Sequence, residues 1–234
     1  QRTRELQESN ASLEEFAYAA SHDLKEPLRK ITVFIKLLGE SMSNASAKDN
    51  IMYERILTAS DRMRSMIDDL LSLSVLSVES KPVSYSLKKV LDGSIELFDN
   101  RLDEEGVVIR TETLPEPLII ASQIALLFQN LLSNSIKFAR KGVAPQIDVT
   151  HQYVQVEKQK MLEITIADNG IGFDNAHSEK IFAVFQRLHN QDQYEGTGIG
   201  LAICKRVVKN HNGTITASGE PGRGATFTIL LPAL

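Results

Sequence analysis

The sequence predicts a multidomain protein: an all-α helical hairpin forming a dimeric four-helix bundle, followed by an α+β sandwich. Three features point there. Met52, Ile56, Ala59, Met63, Met66, Leu70 and Leu73 alternate spacings of four and three, which is a heptad seam. The apolar residues before them also recur at helical spacing. After Pro82 the pattern changes to helices mixed with short strands.

Residues 1–40 read as one long helix. Leu13, Phe16, Ala17, Ala20, Leu24, Leu28, Ile31, Ile35 and Leu38 lie three or four apart. Gly39–Asn50 is rich in Ser, Asn and Ala and reads as a turn. A second helix follows and runs to about Val78. Two such helices cannot cover their own apolar stripe, whereas pairing with a second copy covers it. Glu79–Ser84, with Pro82, reads as a linker. The expected domains are 1–80 and 81–234.

In the second domain, Leu87–Glu104 reads as helix. Val107–Thr111 and Leu118–Ile120 read as strands. Gln123–Ala139 reads as helix. Ile147–Val156 and Leu162–Ala167 read as a hairpin of long strands. Thr197–Asn210 is expected to be helical, and Thr214–Ala217 and Thr226–Leu231 close with two strands.

A chain of 234 residues suffices for one large domain or two small ones. Its formal charge of −4, with dispersed basic residues, gives no case for broad nucleic-acid binding. The single cysteine, Cys204, excludes an internal disulfide and fits a reducing compartment, so a cytoplasmic location is expected. No apolar run approaches the ~18 residues that span a bilayer. The chain opens in helix-like sequence without an initiator Met. It is therefore expected to be part of a longer protein, with a sensor module before Gln1.

Four motifs carry the chemistry. Ser21-His22-Asp23-Leu24-Lys25-Glu26-Pro27-Leu28 lies in the first helix. Taking 100° per residue, His22 projects about 160° from Leu24 and so away from the apolar stripe. Pro27 cannot donate to the carbonyl of Asp23 and is expected to kink the helix. In Asn130-Leu131-Leu132-Ser133-Asn134-Ser135-Ile136-Lys137-Phe138, Asn130, Asn134 and Lys137 share one helix face. Asp168-Asn169-Gly170-Ile171-Gly172-Phe173 and Gly196-Thr197-Gly198-Ile199-Gly200-Leu201 are glycine-rich, and a long polar segment suited to a lid separates them. Gly196, Gly198 and Gly200 precede a helix whose amides can meet phosphate oxygens, and Thr197 can cap it.

In that order the motifs resemble the H, N, G1 and G2 boxes of sensor histidine kinases. Phe182 and Phe185 match the same family's F box. The resemblance covers nearly the whole chain. It implies that the sandwich is of the gyrase, heat-shock-chaperone and histidine-kinase ATP-binding type, with ATP and Mg²⁺ bound there. It implies that His22 accepts the phosphoryl group on Nε2, while Asp23 holds Nδ1–H. Asn134 is implied as the Mg²⁺ ligand, an oxygen donor suited to a hard cation. Asn130 supports the same site. Lys137 offers charge to a phosphate and Phe138 an apolar wall for the ring. Asp168 is implied to accept the adenine amino hydrogen, with Gly170 and Gly172 letting the backbone approach the base.

The function implied is ATP-dependent autophosphorylation at His22, followed by transfer to an aspartate of a response-regulator receiver domain. The implied assembly is a homodimer. Glu26 stands where many phosphatase-competent members carry Thr or Asn. An added carboxylate repels an aspartyl phosphate, which counts against phosphatase activity and not against autokinase activity. Two rivals remain open: an ATP-driven conformational machine of the gyrase type, and a nucleotide-binding scaffold without catalysis.

Overall fold

The structure, a computed structural model, describes residues 24–25, 27–39, 46–76, 81–98, 102, 105–188, 194 and 196–233. The chain divides into two compact units, Gln1–Val78 and Glu79–Leu234.

In the first unit, residues 27–39 form helix α1 and Ala47–Val75 form α2. Helix α2 begins within the segment expected to be a turn. The cause is a capping box. The Asp49 amide donates to Ser46 Oγ at 3.2 Å, and the Ser46 amide donates to Asp49 Oδ2 at 3.1 Å. Leu28 of α1 and Ile67 of α2 are buried. So are Thr32 and Ser60, whose hydroxyls lie 2.6 Å apart, while Thr32 Oγ1 also donates to the Leu28 carbonyl. Lys25 reaches Asp68 at 2.6 Å. Within one chain, Met52, Ile56 and Met63 of the heptad seam are exposed, and Met66 and Leu70 are half-buried. Among the described residues, no helix is long and apolar enough to cross a membrane.

The second unit opens differently from the expected linker. Val83–Ser84 is a short strand, β1, paired antiparallel with Leu118–Ile119, β3. Pro82, lacking an N–H, precedes it where no ladder donor is needed. Helix α3 spans Leu87–Glu96 and starts at Ser86, whose hydroxyl accepts from the Lys89 amide. It ends at Glu96, where the Phe98 amide turns back to the Ile95 carbonyl and tightens the chain, and the backbone is helical again at Leu102 and Glu105.

The main sheet is mixed. It comprises β2 (Val108–Thr111), β4 (Gln146–Val156), β5 (Gln159–Asp168), β6 (Thr214–Glu220) and β7 (Gly224–Pro232), ordered β2-β4-β5-β7-β6. Among the described residues, the β2–β4 pairing is parallel and the other pairings of this sheet are antiparallel. The β4–β5 hairpin turns on Glu157 and Lys158, both with positive φ, as a two-residue type I′ turn requires. Helices α4 (Ala121–Lys137) and α5 (Gly200–Asn210) complete the domain.

Strand alternation sends Ile147, Val149, Leu162, Ile164, Ile166, Phe227, Ile229 and Leu231 into the core. Leu87, Leu91, Ile124, Leu127, Phe128, Leu131, Ile203 and Val207 of the helices are buried with them. The result is a helical N-terminal part followed by a two-layer α+β domain, in agreement with the expected fold class.

Candidate functional site

Helix α4 organises the site. Ile124, Leu127, Phe128, Leu131, Leu132 and Ile136 are buried, whereas Asn130, Asn134, Lys137 and the adjoining Phe138 are half-buried. The helix has no side-chain cap of its own at Ile120. Instead, His211 Nε2 accepts the Ile120 N–H at 2.9 Å, and Nδ1–H donates to the Val207 carbonyl at 2.8 Å. The Ile120 N–H needs a lone pair on Nε2, which puts the ring proton on Nδ1, and burial, by pushing the His211 pKa down, favours this neutral form.

Asp168, at the end of β5, sits beside α4. Its Oδ1 accepts the Gly170 amide at 2.8 Å and the Ala225 amide at 3.2 Å. Its Oδ2 accepts from Ser135 Oγ at 3.3 Å. A carboxylate has about four acceptor positions, so one remains. Burial pushes the Asp168 pKa up, and the three donors act against that by favouring the charged form. The following turn is held by the Phe138 carbonyl, which accepts the Ile171 amide at 2.9 Å. The bare α-carbon of Gly170 lies against the same carbonyl. Gly172 has φ +62, and a Cβ there would lie 2.1 Å from the Glu220 carbonyl oxygen, so only glycine fits.

A second cluster gathers at the C-terminus of α4. Lys137 Nζ lies 4.3 Å from the Phe138 ring centroid, and the Phe138 and Tyr194 rings are 5.0 Å apart. Arg187 donates to the carbonyls of Gly196 and Tyr194. Burial first, and then the nearby Arg187 charge, push the Lys137 pKa down. Two cations held together partly out of water form a favourable place for an anion. The Gly196 α-carbon faces Lys137 Nζ.

The second glycine motif meets the asparagine helix directly. Asn130 Nδ2 donates to the Leu126 carbonyl at 2.8 Å, and Oδ1 lies against Gly200. Helix α5 starts at Gly200 rather than Thr197, so Thr197 does not cap it. Thr197 Oγ1 accepts the Ile199 amide at 3.2 Å and shapes the turn before the helix. Ile199, the N-cap, offers no side-chain acceptor, which leaves the first-turn amides, including that of half-buried Leu201, as available donors. Gly198 packs on the backbone of Phe185 and Gln186. Phe182 is buried, with Lys205 Nζ 5.9 Å from its ring centroid, whereas Phe185 is exposed. Phe182 and Phe185 therefore have different surroundings, one inside and one at the surface.

His22, Asp23 and Glu26 lie outside the described residues. Ser135, Arg140, Arg187, Tyr194 and His211 have no role assigned from the sequence, yet each fastens a part of the site. Ser135 had a usable signal, its place inside the asparagine motif. Arg187 bonds within its own loop, to Tyr194 and Gly196, and the others depend on contacts distant in sequence.

A family model described as His Kinase A (phospho-acceptor) domain matches residues 12–77. One described as Histidine kinase-, DNA gyrase B-, and HSP90-like ATPase matches residues 120–234. The chain is 36% identical to the phytochrome-like protein Cph1 of Synechocystis, across 99% of this chain and 31% of that protein. It is 37% identical to cyanobacterial phytochrome A of Nostoc, across 99% of this chain and 30% of the relative. The chain thus spans about a third of the length of these relatives. Among solved structures, full-length ShkA in complex with AMPPNP shares the fold, with TM-score 0.69, 24% identity, and coverage of 93% of this chain and 45% of the other. The Acinetobacter baumannii histidine kinase AdeS gives TM-score 0.61 at 20% identity, covering 90% and 97%. With both family models matched in order along one chain, this protein belongs to the sensor histidine kinases of two-component systems.

Proposed function

We propose that the chain is the output module of a sensor kinase, which binds ATP in its second domain and phosphorylates His22. The arrangement on α4 carries this reading. Beside Ser135 an anchored carboxylate, Asp168, keeps one acceptor position for an amino group. At the adjoining C-terminus of the helix, Lys137 and Arg187 gather positive charge beside Gly196. A base at the first place and phosphates at the second match an adenine nucleotide.

The residues present also fit Mg²⁺. This ion takes few protein ligands and keeps waters and phosphate oxygens, and half-buried Asn134 offers one hard oxygen donor on the shared helix face. Bound there, the ion would neutralise charge on the phosphates. Asn130 supports that face. The open amides of Gly200 and Leu201, and the turn through Gly198, face the same chemistry. Phe138 supplies an apolar wall. Phe182 anchors the segment between the glycine motifs, and Phe185 lies at its exposed turn.

His22 Nε2 forms the new N–P bond as the bond from the γ-phosphorus to the bridging oxygen breaks and ADP departs. Asp23 holds Nδ1–H and stabilises the positive ring. The phosphoramidate then donates to an aspartate on a response-regulator receiver domain. The module works as a homodimer through the exposed α2 seam, on the cytoplasmic side where ATP is available. In the longer protein a sensor module governs it.

Incubation with γ-labelled ATP and Mg²⁺ tests the reading. Acid-labile, alkali-stable label on the protein supports it. Label recovered only as free phosphate would instead identify an ATP-driven conformational machine, and no turnover would identify a scaffold.

A further inference from the structure

Arg140 stands three residues beyond α4, where the sequence reads as an ordinary surface cation. Its guanidinium is half-buried and joins two loops. Nε donates to the Asn169 carbonyl at 2.7 Å, and Nη1 donates to the Gly222 carbonyl at 2.9 Å. Asn169 belongs to the turn after β5, and Gly222 to the turn between β6 and β7. These turns also meet without Arg140, since the Gly222 amide donates to the Ile171 carbonyl at 2.7 Å. Each turn supplies one of the two amides on Asp168 Oδ1, Gly170 from the first and Ala225 from the strand leaving the second.

We propose that Arg140 is a positioning residue for base selection, clamping the Asn169 and Gly222 carbonyls so that both turns close on Asp168. The proposal rests on Asp168 being the adenine acceptor. The planar guanidinium presents two donors in a fixed fork, so the separation of the two carbonyls is set by its geometry. With both amides on Oδ1, the carboxylate cannot rotate, and the open position on Oδ2 keeps one direction. An acceptor so aimed suits the exocyclic amino group of adenine. It opposes the carbonyl that guanine carries at the equivalent place, because two acceptors then face each other. Freed from the clamp, the turns can shift and the carboxylate can turn, which lowers the affinity for ATP and the discrimination against GTP. Arg140 touches neither phosphate nor the reacting histidine in this scheme, so turnover at saturating ATP is spared.

The test measures ATP and GTP binding by calorimetry, and autophosphorylation kinetics, for the full chain and for Arg140→Gln and Arg140→Lys. The wild-type chain is expected to prefer ATP. Arg140→Gln should weaken ATP binding about tenfold, the scale of one lost charge-assisted hydrogen bond. GTP binding should change little, so the ratio narrows. KM for ATP should rise with kcat nearly unchanged. Arg140→Lys keeps the charge without the fork and should fall between the two; it also serves if Arg140→Gln does not fold. Unchanged ATP/GTP ratios in the folded variants would overturn the proposal, as would a loss of kcat with the ratio intact. A wild-type chain indifferent between ATP and GTP removes the reading of Asp168 itself and the proposal with it. Wild-type preference that survives in the variants refutes the clamp alone.

Discussion

Asn130 and Gly200, seventy positions apart, are in such close contact that a Cβ on Gly200 would lie 2.4 Å from Asn130 Oδ1. The asparagine is not free to retreat, because Nδ2 donates to the Leu126 carbonyl. Gly200→Ala must therefore move α5 or break that hydrogen bond. Overpacking of this kind costs about 1–3 kcal/mol. Either ATP affinity or the thermal midpoint should fall accordingly, read by calorimetry and by unfolding. Unchanged values for both would show that the contact carries no weight.

Asp168→Asn separates binding from stability. The amide oxygen can keep the Gly170 and Ala225 amides. The new Nδ2 can donate to Ser135 Oγ, whose own proton then goes to the Leu131 carbonyl at 3.1 Å. The fold is thus satisfied, but a donor now faces the adenine amino group. ATP affinity should fall by the worth of a charged hydrogen bond, about 1.5–3 kcal/mol.

The same residue has a signed pH effect. Its folded pKa is raised by burial, so its contribution to stability is present below the unfolded value of 3.8 and lost as pH rises through the folded value. The Asn variant lacks that loss and should be at least as stable at neutral pH. Denaturant titration that finds it markedly less stable would contradict this account of the buried charge.

Much of this arrangement is visible in the sequence, and the limits have physical causes. Heptad spacing marks α2, and the long strand-like runs Ile147–Val156 and Leu162–Ala167 mark β4 and β5. The start of α2 was equally readable, since Ser46 and Asp49 have capping-box spacing, but the Ser/Asn/Ala composition drew the turn too far. Strand β1 is hidden because its two residues lie in a proline-containing segment that reads as a linker, and its partner lies 34 residues away. Around the site, local motifs name Asn130, Lys137, Asp168 and the glycines. Arg140, Arg187, Tyr194 and His211 work through carbonyls, rings and amides brought together only by the fold.

His211 gives a pH dependence of the opposite sense. Its folded pKa is lowered by burial, so its contribution is full above the unfolded value of 6.5 and is lost as pH falls through the folded value. His211→Ala leaves the Ile120 amide without its acceptor, a loss of about 1–3 kcal/mol. Unfolding at pH 7.5 and pH 5.5 should show the wild type losing more stability on acidification than the variant. Equal losses would detach His211 from the pH response.

For assembly, Met63 is exposed and Met66 half-buried in a single chain. In the proposed bundle both lie inside. Met66→Glu then buries an unpaired carboxylate, a penalty of several kcal/mol. Sedimentation should find a dimer for the wild type and a monomer for the variant, which still binds nucleotide. An unchanged dimer mass would place the interface elsewhere.

The central claim is that ATP bound by the second domain phosphorylates His22. Its most direct test compares the wild type with His22→Ala, measuring ATP affinity and acid-labile, alkali-stable label from γ-labelled ATP on the same preparations. The account predicts nearly equal affinities, with label on the wild type and none on the variant. Histidine-type label persisting on the variant at the wild-type level would contradict it.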